Sequence, residues 1–342
     1  MDNPLSRLAP QLFGEYPKPF LQLVDTVSTA PGQEKDELKT ILWKAYEFGN
    51  RHHEGQKRRS GKPYFTHCVA VAQTLASWKM DLTTVIGGLL HDTVEDTDVT
   101  LALLRQEFGD DLANLVNGVT KIGGIKFSSR KEKQAGNFMK MLLSVAQDLR
   151  VIIIKFADRL HNMETIKHMP KIKQHRIAIE TRDVYVPLAH RLGMHSVKAQ
   201  LEDIAFSVLD PSGYKELDAN IKATKKQRDK FIKEIIEPVA QELKTYEIVP
   251  DVYGRAKSYS SIHGKMISRN KSFKEIYDLY AIRIIVEKVE QCYLALGIVH
   301  SIYSPFQDRF KDFIATPKTN GYQSVHTTVV GPKGQLVEIQ IR

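Results

Sequence analysis

The stretch Val85-Ile86-Gly87-Gly88-Leu89-Leu90-His91-Asp92-Thr93-Val94-Glu95-Asp96-Thr97 joins an apolar run directly to a histidine, three carboxylates and two hydroxyls. The apolar half predicts a buried helix, and the polar half follows it without a break. Ionisable groups are costly away from water unless a cation, a charged partner or a chemical task compensates them. The stretch therefore predicts a helical domain with a reactive site at the end of a core helix.

The composition describes an ordinary globular protein that is large enough for two or three domains. The 342 residues are 42% hydrophobic and 26% charged, which is typical of soluble chains. We find no apolar run long enough to span a membrane and no signal-peptide core, so neither a membrane nor a secreted location is expected. Two distant cysteines, Cys68 and Cys292, give no disulfide framework and indicate a cytoplasmic location. The net charge of +9 suits an acidic partner, although a solvated basic surface would give the same charge.

Three regions of the chain differ in their residue patterns. Residues 1–195 show mainly helical spacing, and residues 196–245 read as charged linking helices. Residues 246–342 form an α+β region with a mixed sheet, in which strands are predicted over 247–253, 280–286, 325–330 and 336–342. The predicted fold is therefore multidomain: an all-α domain, linking helices and an α+β domain. The chain stops at a strand-like segment, so we expect the last domain to be truncated at its C-terminal end.

Three distant segments supply candidate ligands for one divalent cation: His67, His91-Asp92 and Asp158. Imidazole and carboxylate together suit manganese, iron or zinc, and such a metal makes hydroxide available near neutral pH. Residues four apart share a helix face, so the pair Glu95-Asp96 lies one turn beyond His91-Asp92. That placement suits the two carboxylates for proton transfer to or from a water molecule or a leaving oxygen.

A second helical segment places polar groups beside one of these candidate ligands. Asn162 and Thr165 follow Asp158 at helical spacing, and Lys155 precedes it on the same face. An amide, a hydroxyl and an ammonium suit a phosphorylated ligand, and the turn Arg58-Arg59-Ser60-Gly61 adds guanidinium groups that bind phosphate or a base. Each residue alone is more commonly a core histidine, a salt-bridge aspartate or part of a solvated turn. Only their combination favours a site.

The α+β region carries a second candidate site. Gly254-Arg255-Ala256-Lys257 and Ser261-Ile262-His263-Gly264-Lys265 bring cations and hydroxyls together without a Walker sequence, and they could cradle a triphosphate. From Glu338 to Arg342 polar and apolar residues alternate, which sends the polar ones to one face of the sheet. Glu338 could bind Mg²⁺ there together with Asp278. A solvated turn and a half-solvated sheet face are the alternative interpretations.

Longer strings around these residues resemble a known enzyme family. Residues 58–67, 91–97 and 157–163 resemble the hydrolase domain of long RelA/SpoT homologues, the enzymes that make and break the alarmone (p)ppGpp. Residues 311–328, Asp278 with Arg283, and residues 338–342 are similar to the synthetase signature of the same family. Both signatures occur in the order that the family has and together cover nearly the whole chain. One departure is Cys68, which stands where the family usually has proline.

The resemblance implies a hydrolase site in an HD-type domain. Mn²⁺ would be held by His67, His91, Asp92 and Asp158. Glu95 and Asp96 would activate water at the 3′-diphosphate of (p)ppGpp. The nucleotide pocket would be lined by Arg58, Arg59, Ser60, Asn162 and Thr165.

The resemblance also implies a nucleotidyltransferase-like synthetase domain that transfers pyrophosphate from ATP to the 3′-hydroxyl of GDP or GTP. Asp278 and Glu338 would hold Mg²⁺, and Glu338 would also activate the hydroxyl. Arg255 and Arg283 would enclose the adenine, and Tyr322 would stack on the guanine. The remaining contacts to nucleotides would come from Lys257, Lys265, Lys311, Lys318, Asn320, His326 and Gln340.

The sequence therefore predicts a bifunctional (p)ppGpp synthetase/hydrolase that binds ppGpp, pppGpp, GDP, GTP and ATP. Contact with the ribosome or tRNA would need C-terminal domains beyond this chain, and the oligomeric state is left open. Because the first site is complete and the second half ends abruptly, we expect hydrolysis to survive better than synthesis. Two alternatives stay open: another HD-type nucleotide phosphohydrolase, and a non-catalytic regulator that binds the alarmone.

Overall fold

The computed structural model describes residues 16–27, 35–123, 148–248, 251–255, 258–270, 272–273, 281–318 and 321–342. The chain divides into two compact units, Met1–Gln174 and His175–Arg342. Among the described residues, no helix has both the length and the apolar character needed to cross a membrane. The domain limits predicted from the sequence, 1–195, 196–245 and 246–342, stay a prediction.

The first unit is built from helices in its described part, apart from an isolated bridge between Lys57 and Pro63. In chain order they are α1 (Lys18–Thr26), α2 (Lys35–His52), α3 (Phe65–Ser77), α4 (Leu82–Leu90), α5 (Thr93–Asp96), α6 (Leu101–Phe108), α7 (Asp110–Gly123) and α8 (Leu149–Glu164). A 3₁₀ turn, Ile166–His168, leads to α9 (Lys171–Glu180), which crosses the division between the units.

Helix α4 is the central apolar element of the first unit. It begins at Leu82 because the Asp81 carboxylate caps it, accepting a hydrogen bond from the Thr84 N–H at 3.0 Å. Every residue from Thr84 to Leu90 is buried. Helix α8 packs against both α3 and α4. This packing brings the end of α4 next to the first turn of α3 and the middle of α8.

A glycine allows α3 and α4 to pack closely. A Cβ atom on Gly88 would lie 2.5 Å from Leu75 Cδ1 and 3.4 Å from the Ala72 Cα. Leu75 is fully buried, so its side chain has little room to move away. The missing side chain at Gly88 therefore sets how closely the helix that carries His67 approaches the helix that ends at His91.

The second unit combines helices with a five-stranded sheet. After a π-helical turn, Thr181–Tyr185, its helices are α10 (Val186–Arg191), α11 (His195–Leu209), α12 (Pro211–Thr245), α13 (Tyr259–Arg269) and α14 (Val289–Ile302). The strands are β1 (Asp251–Arg255), β2 (Ala281–Ile285), β3 (Lys311–Asp312), β4 (Val325–Val330) and β5 (Leu336–Ile341). Two 3₁₀ turns, Gln307–Arg309 and Pro332–Gly334, lie between strands.

The sheet is mixed, as predicted. Its strand order is β1-β2-β5-β4-β3, and β2 and β5 are parallel while the other neighbours are antiparallel. Because side chains alternate along each strand, one face carries Ile282, Ile284, Val337 and Ile339, which pack against the second half of α12 and against α14. The other face carries Arg283, His326, Glu338 and Gln340 of the predicted site. The predicted fold class, a helical domain followed by an α+β domain, is confirmed.

One strand prediction was partly wrong. The pattern from Glu247 to Tyr253 predicted a strand, but α12 runs to Thr245 and β1 begins at Asp251. The amide of Ile248 donates to the Leu243 carbonyl at 3.2 Å, and Glu247 adopts a positive φ of 58°. This segment ends the helix instead of starting the strand, because the last helical carbonyls take up its amides.

We predict that Gly88→Ala lowers the free energy of unfolding of the first unit by about 1–3 kcal/mol, because the added methyl overpacks the contact with α3. Both tryptophans of the chain, Trp43 and Trp78, lie in this unit, so their fluorescence during denaturant unfolding measures the effect. Gln106→Ala, at an exposed position of α6, is the control and should change stability by less than about 0.5 kcal/mol. Equal stability of the two variants would contradict the prediction.

Candidate functional site

The first unit brings four predicted ligands into one cluster. His67 Nε2 lies 3.2 Å from Asp158 Oδ1, and His91 Nε2 lies 3.1 Å from Asp92 Oδ2. The crossed distances are 3.7 Å from His67 Nε2 to Asp92 Oδ2 and 3.9 Å from His91 Nε2 to Asp158 Oδ1. One ligand atom from each of His67, His91 and Asp158 lies within 4.8 Å of the other two. Segments that are distant in the sequence therefore meet where α3, α4 and α8 pack together.

The orientation of His91 suits a metal ligand. Its Nδ1 donates to the Gly88 carbonyl at 2.8 Å, which leaves Nε2 as the ring nitrogen that faces the other predicted ligands. The residue is only 1% exposed, and its Nε2 has no hydrogen-bond partner within the described part of the chain. Metal-binding histidines commonly use the second ring nitrogen to contact a backbone carbonyl in this way.

The carboxylates of the cluster are charged. Burial acts to raise the pKa of Asp92, but the adjacent His91 outweighs it and holds that pKa below its usual range. At Asp158 burial acts in the same direction, and the His67 hydrogen bond together with Lys155 lowers the pKa. Two anionic oxygens and two imidazole nitrogens at this spacing fit a divalent transition metal.

The predicted carboxylate pair, Glu95 and Asp96, lies one helical turn after His91 and Asp92. The Asp96 amide donates to the Asp92 carbonyl at 2.9 Å, which closes the helical turn that the sequence predicted. Partial burial, and after it the neighbouring carboxylates, raise the pKa of Glu95. Asp96 is held by the Tyr64 hydroxyl, which lies 2.8 Å from Asp96 Oδ2 and 2.8 Å from Asp92 Oδ2. Because a hydroxyl has a single proton, it can donate to only one of them at a time.

A chain of hydrogen bonds connects the predicted nucleotide pocket to the ligand cluster. Arg58 Nη2 donates to Asn162 Oδ1 at 2.6 Å, and Asn162 Nδ2 donates to Asp158 Oδ1 at 2.5 Å. The other terminal nitrogen of Arg58, Nη1, is buried without a hydrogen-bond partner among the described residues. A guanidinium N–H group in that state is costly unless a ligand accepts from it, so it suits an anionic group.

The other predicted pocket residues are placed less uniformly. Lys155 is 9% exposed, and its Nζ lies 3.9 Å from Asp158 Oδ2. Thr165 donates its hydroxyl to the His161 carbonyl at 2.8 Å, so it caps the end of α8. Arg59 is exposed and Ser60 is half-buried in the turn before α3.

Sequence reasoning missed two residues that hold this cluster. Tyr64 contacts two of its carboxylates, and His161 Nδ1 lies 2.7 Å from His67 Nδ1. Burial lowers the pKa of His161 to about 4, so its ring is neutral at pH 7 and can share a proton with His67. A signal existed: Tyr64 precedes His67 by three residues and His161 follows Asp158 by three, the spacing of one helix face.

The second unit gathers part of the other predicted site on the polar face of its sheet. Gln340 lies opposite His326 on β4 and Arg283 on β2, and its Nε2 donates to Glu338 Oε1 at 2.7 Å. The Tyr322 hydroxyl lies 2.8 Å from His326 Nε2. These five predicted residues therefore share one surface.

A cleft opens on this face. It has a volume of about 280 Å³, and it is lined by Asp308, Arg309, Lys311, His326, Thr328, Leu336 and Glu338. Cationic side chains together with one glutamate suit a ligand that carries phosphates and a metal ion. Thr328, directly opposite Glu338 on β4, is a residue that the sequence did not indicate.

The remaining predicted residues of this site are only partly described. Lys318 Nζ lies 5.2 Å from the centre of the Tyr322 ring, which is cation–π distance. Arg283 Nε is buried without a hydrogen-bond partner among the described residues, and Lys265 is partly buried on α13. Lys257, Asp278, Asn320 and the side chain of Arg255 lie outside the described residues.

Two known protein families match this chain. Residues 45–195 match the HD domain family, and residues 254–342 match the region found in RelA/SpoT proteins. The fold and these two matches thus define a chain with an HD domain followed by a RelA/SpoT region. The chain belongs to the RelA/SpoT homologues, and the resemblance seen in its motifs is confirmed.

Named relatives cover nearly the whole chain. It is 46% identical over 341 residues to a GTP pyrophosphokinase of Streptomyces coelicolor, covering 99% of this chain and 40% of that protein. It is 46% identical over 308 residues to the bifunctional (p)ppGpp synthase/hydrolase SpoT of Escherichia coli, covering 90% of this chain and 44% of that protein. The chain thus spans less than half the length of these relatives. A solved metazoan orthologue of SpoT aligns with 54% of the chain at 20% identity and a TM-score of 0.37, too weak a likeness to support an inference.

We predict that His161→Ala lowers the affinity of the first unit for a divalent cation about 10- to 100-fold, because His67 loses the ring that orients it. Calorimetric titration of the purified protein with Mn²⁺ measures the change. His168→Ala, at an exposed position of the turn after α8, should bind as the unaltered protein does. An unchanged affinity in His161→Ala would show that His67 needs no such support.

Proposed function

We propose that the first unit hydrolyses the 3′-diphosphate of ppGpp and pppGpp, releasing pyrophosphate and GDP or GTP. The observation that carries the proposal is the cluster of His67, His91, Asp92 and Asp158 beside the carboxylates of Glu95 and Asp96. The HD-domain match and the names of relatives such as SpoT support the same reaction.

The four-residue cluster would hold a divalent cation, and its nitrogen and oxygen donors suit manganese, iron or zinc. We propose Mn²⁺ because the motifs that carry these ligands resemble the hydrolase domain of RelA/SpoT homologues. A divalent cation there would lower the pKa of water and neutralise charge on the diphosphate. The protein itself fixes the donors: Gly88 orients His91, His161 orients His67, and Tyr64 holds the Asp92 carboxylate. The chain thus provides donors that are already oriented before a cation binds.

Charged groups around the cluster suit a guanosine that carries diphosphates. The free Nη1 of Arg58 would donate to the nucleotide, and Lys155, beside Asp158, would neutralise a phosphate oxygen. Arg59, Ser60, Asn162 and Thr165 would line the same pocket. Because Asn162 already contacts both Arg58 and Asp158, the nucleotide would be held close to the ligand cluster.

The Glu95-Asp96 pair would move the protons of the reaction. Water attacks the phosphorus next to the ribose, the bond from that phosphorus to the 3′-oxygen breaks, and pyrophosphate leaves the nucleoside. One carboxylate accepts the proton of the attacking water, and the 3′-oxygen regains a proton as it departs. Burial raises the pKa of Glu95, which makes its carboxylate a stronger proton acceptor.

We propose that the second unit catalyses pyrophosphoryl transfer, in which the terminal pyrophosphoryl group of ATP passes to the 3′-hydroxyl of GDP or GTP and AMP leaves. The match to the RelA/SpoT region and the cleft that contains Lys311, His326 and Glu338 support this. Glu338 would hold Mg²⁺ together with Asp278 and accept the proton of the hydroxyl. Cations are the groups that such a transfer needs, because it depends on positioning and charge neutralisation.

The other synthetase residues are assigned by the same proposal. Arg255 and Arg283 would enclose adenine, and Tyr322, beside His326, would stack on guanine. Phosphates and the guanosine nucleotide would be bound by Lys257, Lys265, Lys311, Lys318, Asn320 and Gln340.

Both cysteines of the chain are free thiols, which agrees with the proposed cytoplasmic location.

We predict that Glu95→Gln lowers the rate of ppGpp hydrolysis at least about 100-fold, because the amide cannot accept a proton. The assay incubates the purified chain with ppGpp and Mn²⁺ and measures pyrophosphate and GDP. Asp98→Asn, which removes an exposed carboxylate two residues beyond the pair, should leave the rate unchanged. Equilibrium binding of ppGpp should persist in Glu95→Gln.

The same assay separates the alternatives. Release of single phosphate instead of pyrophosphate would identify a different HD-type phosphohydrolase. Tight binding of ppGpp without turnover in the unaltered chain would identify a non-catalytic regulator. Either result would overturn the proposed hydrolysis.

We predict that Glu338→Gln lowers pppGpp synthesis from ATP and GTP at least about 100-fold while ppGpp hydrolysis is retained, because the change removes the carboxylate from the cleft. Synthesis is followed with labelled ATP, and hydrolysis is measured on the same preparation. Glu287→Gln, at an exposed position before α14, serves as the control. Undiminished synthesis in Glu338→Gln would exclude the assigned role.

A further inference from the structure

A buried thiol lies against the ligand cluster of the first unit. Cys68 follows His67 on α3, and it is fully buried. One ligand atom from each of Cys68, His91 and Asp92 lies within 4.8 Å of the other two. The proposed hydrolysis uses His91 and Asp92 but has no role for the sulfur.

The geometry around His91 leaves its second ring nitrogen facing this set of donors. His91 Nε2 is buried, has no hydrogen-bond partner in the described part of the chain, and faces the Asp92 carboxylate at 3.1 Å. The side chains of Asp92 and Asp158 are 14% and 17% exposed. A cation can therefore reach the cluster from the side of the carboxylates even though both histidines and the thiol are buried.

Sulfur changes which cations such a set prefers. Thiolates favour Zn²⁺ and other soft ions, whereas carboxylates and water suit Mn²⁺ and Mg²⁺. Zn²⁺ accepts sulfur, imidazole and carboxylate ligands, and a site with three protein ligands leaves a fourth position to water or another ligand. The set of His67, His91 and Asp158 contains no sulfur.

We propose that Cys68, His91 and Asp92 form a second ligand set that binds a thiophilic divalent cation such as Zn²⁺ or Cd²⁺. Because His91 and Asp92 belong to both sets, this cation and the cation of hydrolysis exclude one another. On binding, the S–H bond of Cys68 breaks, the sulfur keeps the electron pair and coordinates the cation, and the proton passes to solvent. No atom changes its oxidation state.

The proposal shares its site with the proposed hydrolysis but does not depend on turnover. The alternative interpretation of Cys68 is a small buried apolar residue, a common use of a free cysteine. The two interpretations differ in one observable property, since only a coordinated thiolate gives a charge-transfer absorption with the cation.

The test uses Cys292→Ala, which leaves Cys68 as the single thiol of the full chain. This variant is titrated with Cd²⁺ in the absence of nucleotide, and the thiolate-to-cadmium charge-transfer band is recorded in the ultraviolet. We expect a band that saturates at one equivalent of Cd²⁺, as in the unaltered protein. Absence of the band in Cys292→Ala would overturn the proposal, and so would an undiminished band in Cys68→Ser or Cys68→Ala.

Histidine variants in the Cys292→Ala background test the ligand set. His91→Ala should lose the band or need at least about 10-fold more Cd²⁺, whereas His168→Ala, at an exposed position, should titrate unchanged. A normal titration in His91→Ala would show that His91 does not coordinate the cation that Cys68 binds. A band without any ppGpp hydrolysis would support this site and reject the proposed function, whereas hydrolysis without a band would reject this site alone.

Discussion

The structure of the first unit depends on a cluster that is largely shielded from water, in which two carboxylates and two imidazoles pair their charges with one another. His67 and His91 are each 1% exposed, and each has a nitrogen within 3.2 Å of a carboxylate oxygen. Removing one member of such a group leaves a buried charge without a partner, which costs far more than the group contributes to stability. Helices α3, α4 and α8 must therefore keep their mutual positions to keep these groups paired, and the apolar length of α4 provides the packing that holds them there.

The two units present their polar residues in different ways. In the first unit functional groups lie at a helix end and on adjacent helix faces, so their distances depend on how closely the helices pack. In the second unit they lie on neighbouring strands, where the hydrogen-bonded register places His326, Gln340 and Arg283 side by side. The parallel pairing of β2 with β5 is what brings Arg283 to the strand that carries Glu338. Strand register thus sets the distances between the functional groups of the second site, as side-chain packing sets those of the first.

Features that depend on neighbouring residues could be predicted from the sequence, whereas contacts between distant residues could not. The alternation from Leu336 to Ile341 predicted both a strand and the face that Glu338 occupies, because the side-chain period of a strand is fixed. The beginning of β1 was misplaced, because the helix end at Glu247 depends on hydrogen bonds that hydrophobicity does not reveal. The contact of Tyr64 with Asp92 joins residues 28 apart, and that of His161 with His67 joins residues 94 apart. Helical spacing places Tyr64 beside His67 and His161 beside Asp158, but it does not show which distant residue each of them contacts.

The hydrogen bonds from Arg58 through Asn162 to Asp158 have a thermodynamic consequence. Asp158 Oδ1 receives the Asn162 amide and also faces the His67 ring, so the same oxygen is sensitive to events at both ends. A ligand that attracts the Arg58 guanidinium would weaken its hydrogen bond to Asn162. The hydrogen bond from Asn162 to Asp158 Oδ1 would then change, and with it the affinity of that oxygen for a cation. Linkage is reciprocal, so the cation changes the affinity for the ligand by the same factor by which the ligand changes the affinity for the cation. Nucleotide binding at Arg58 and cation binding at Asp158 are therefore expected to be coupled.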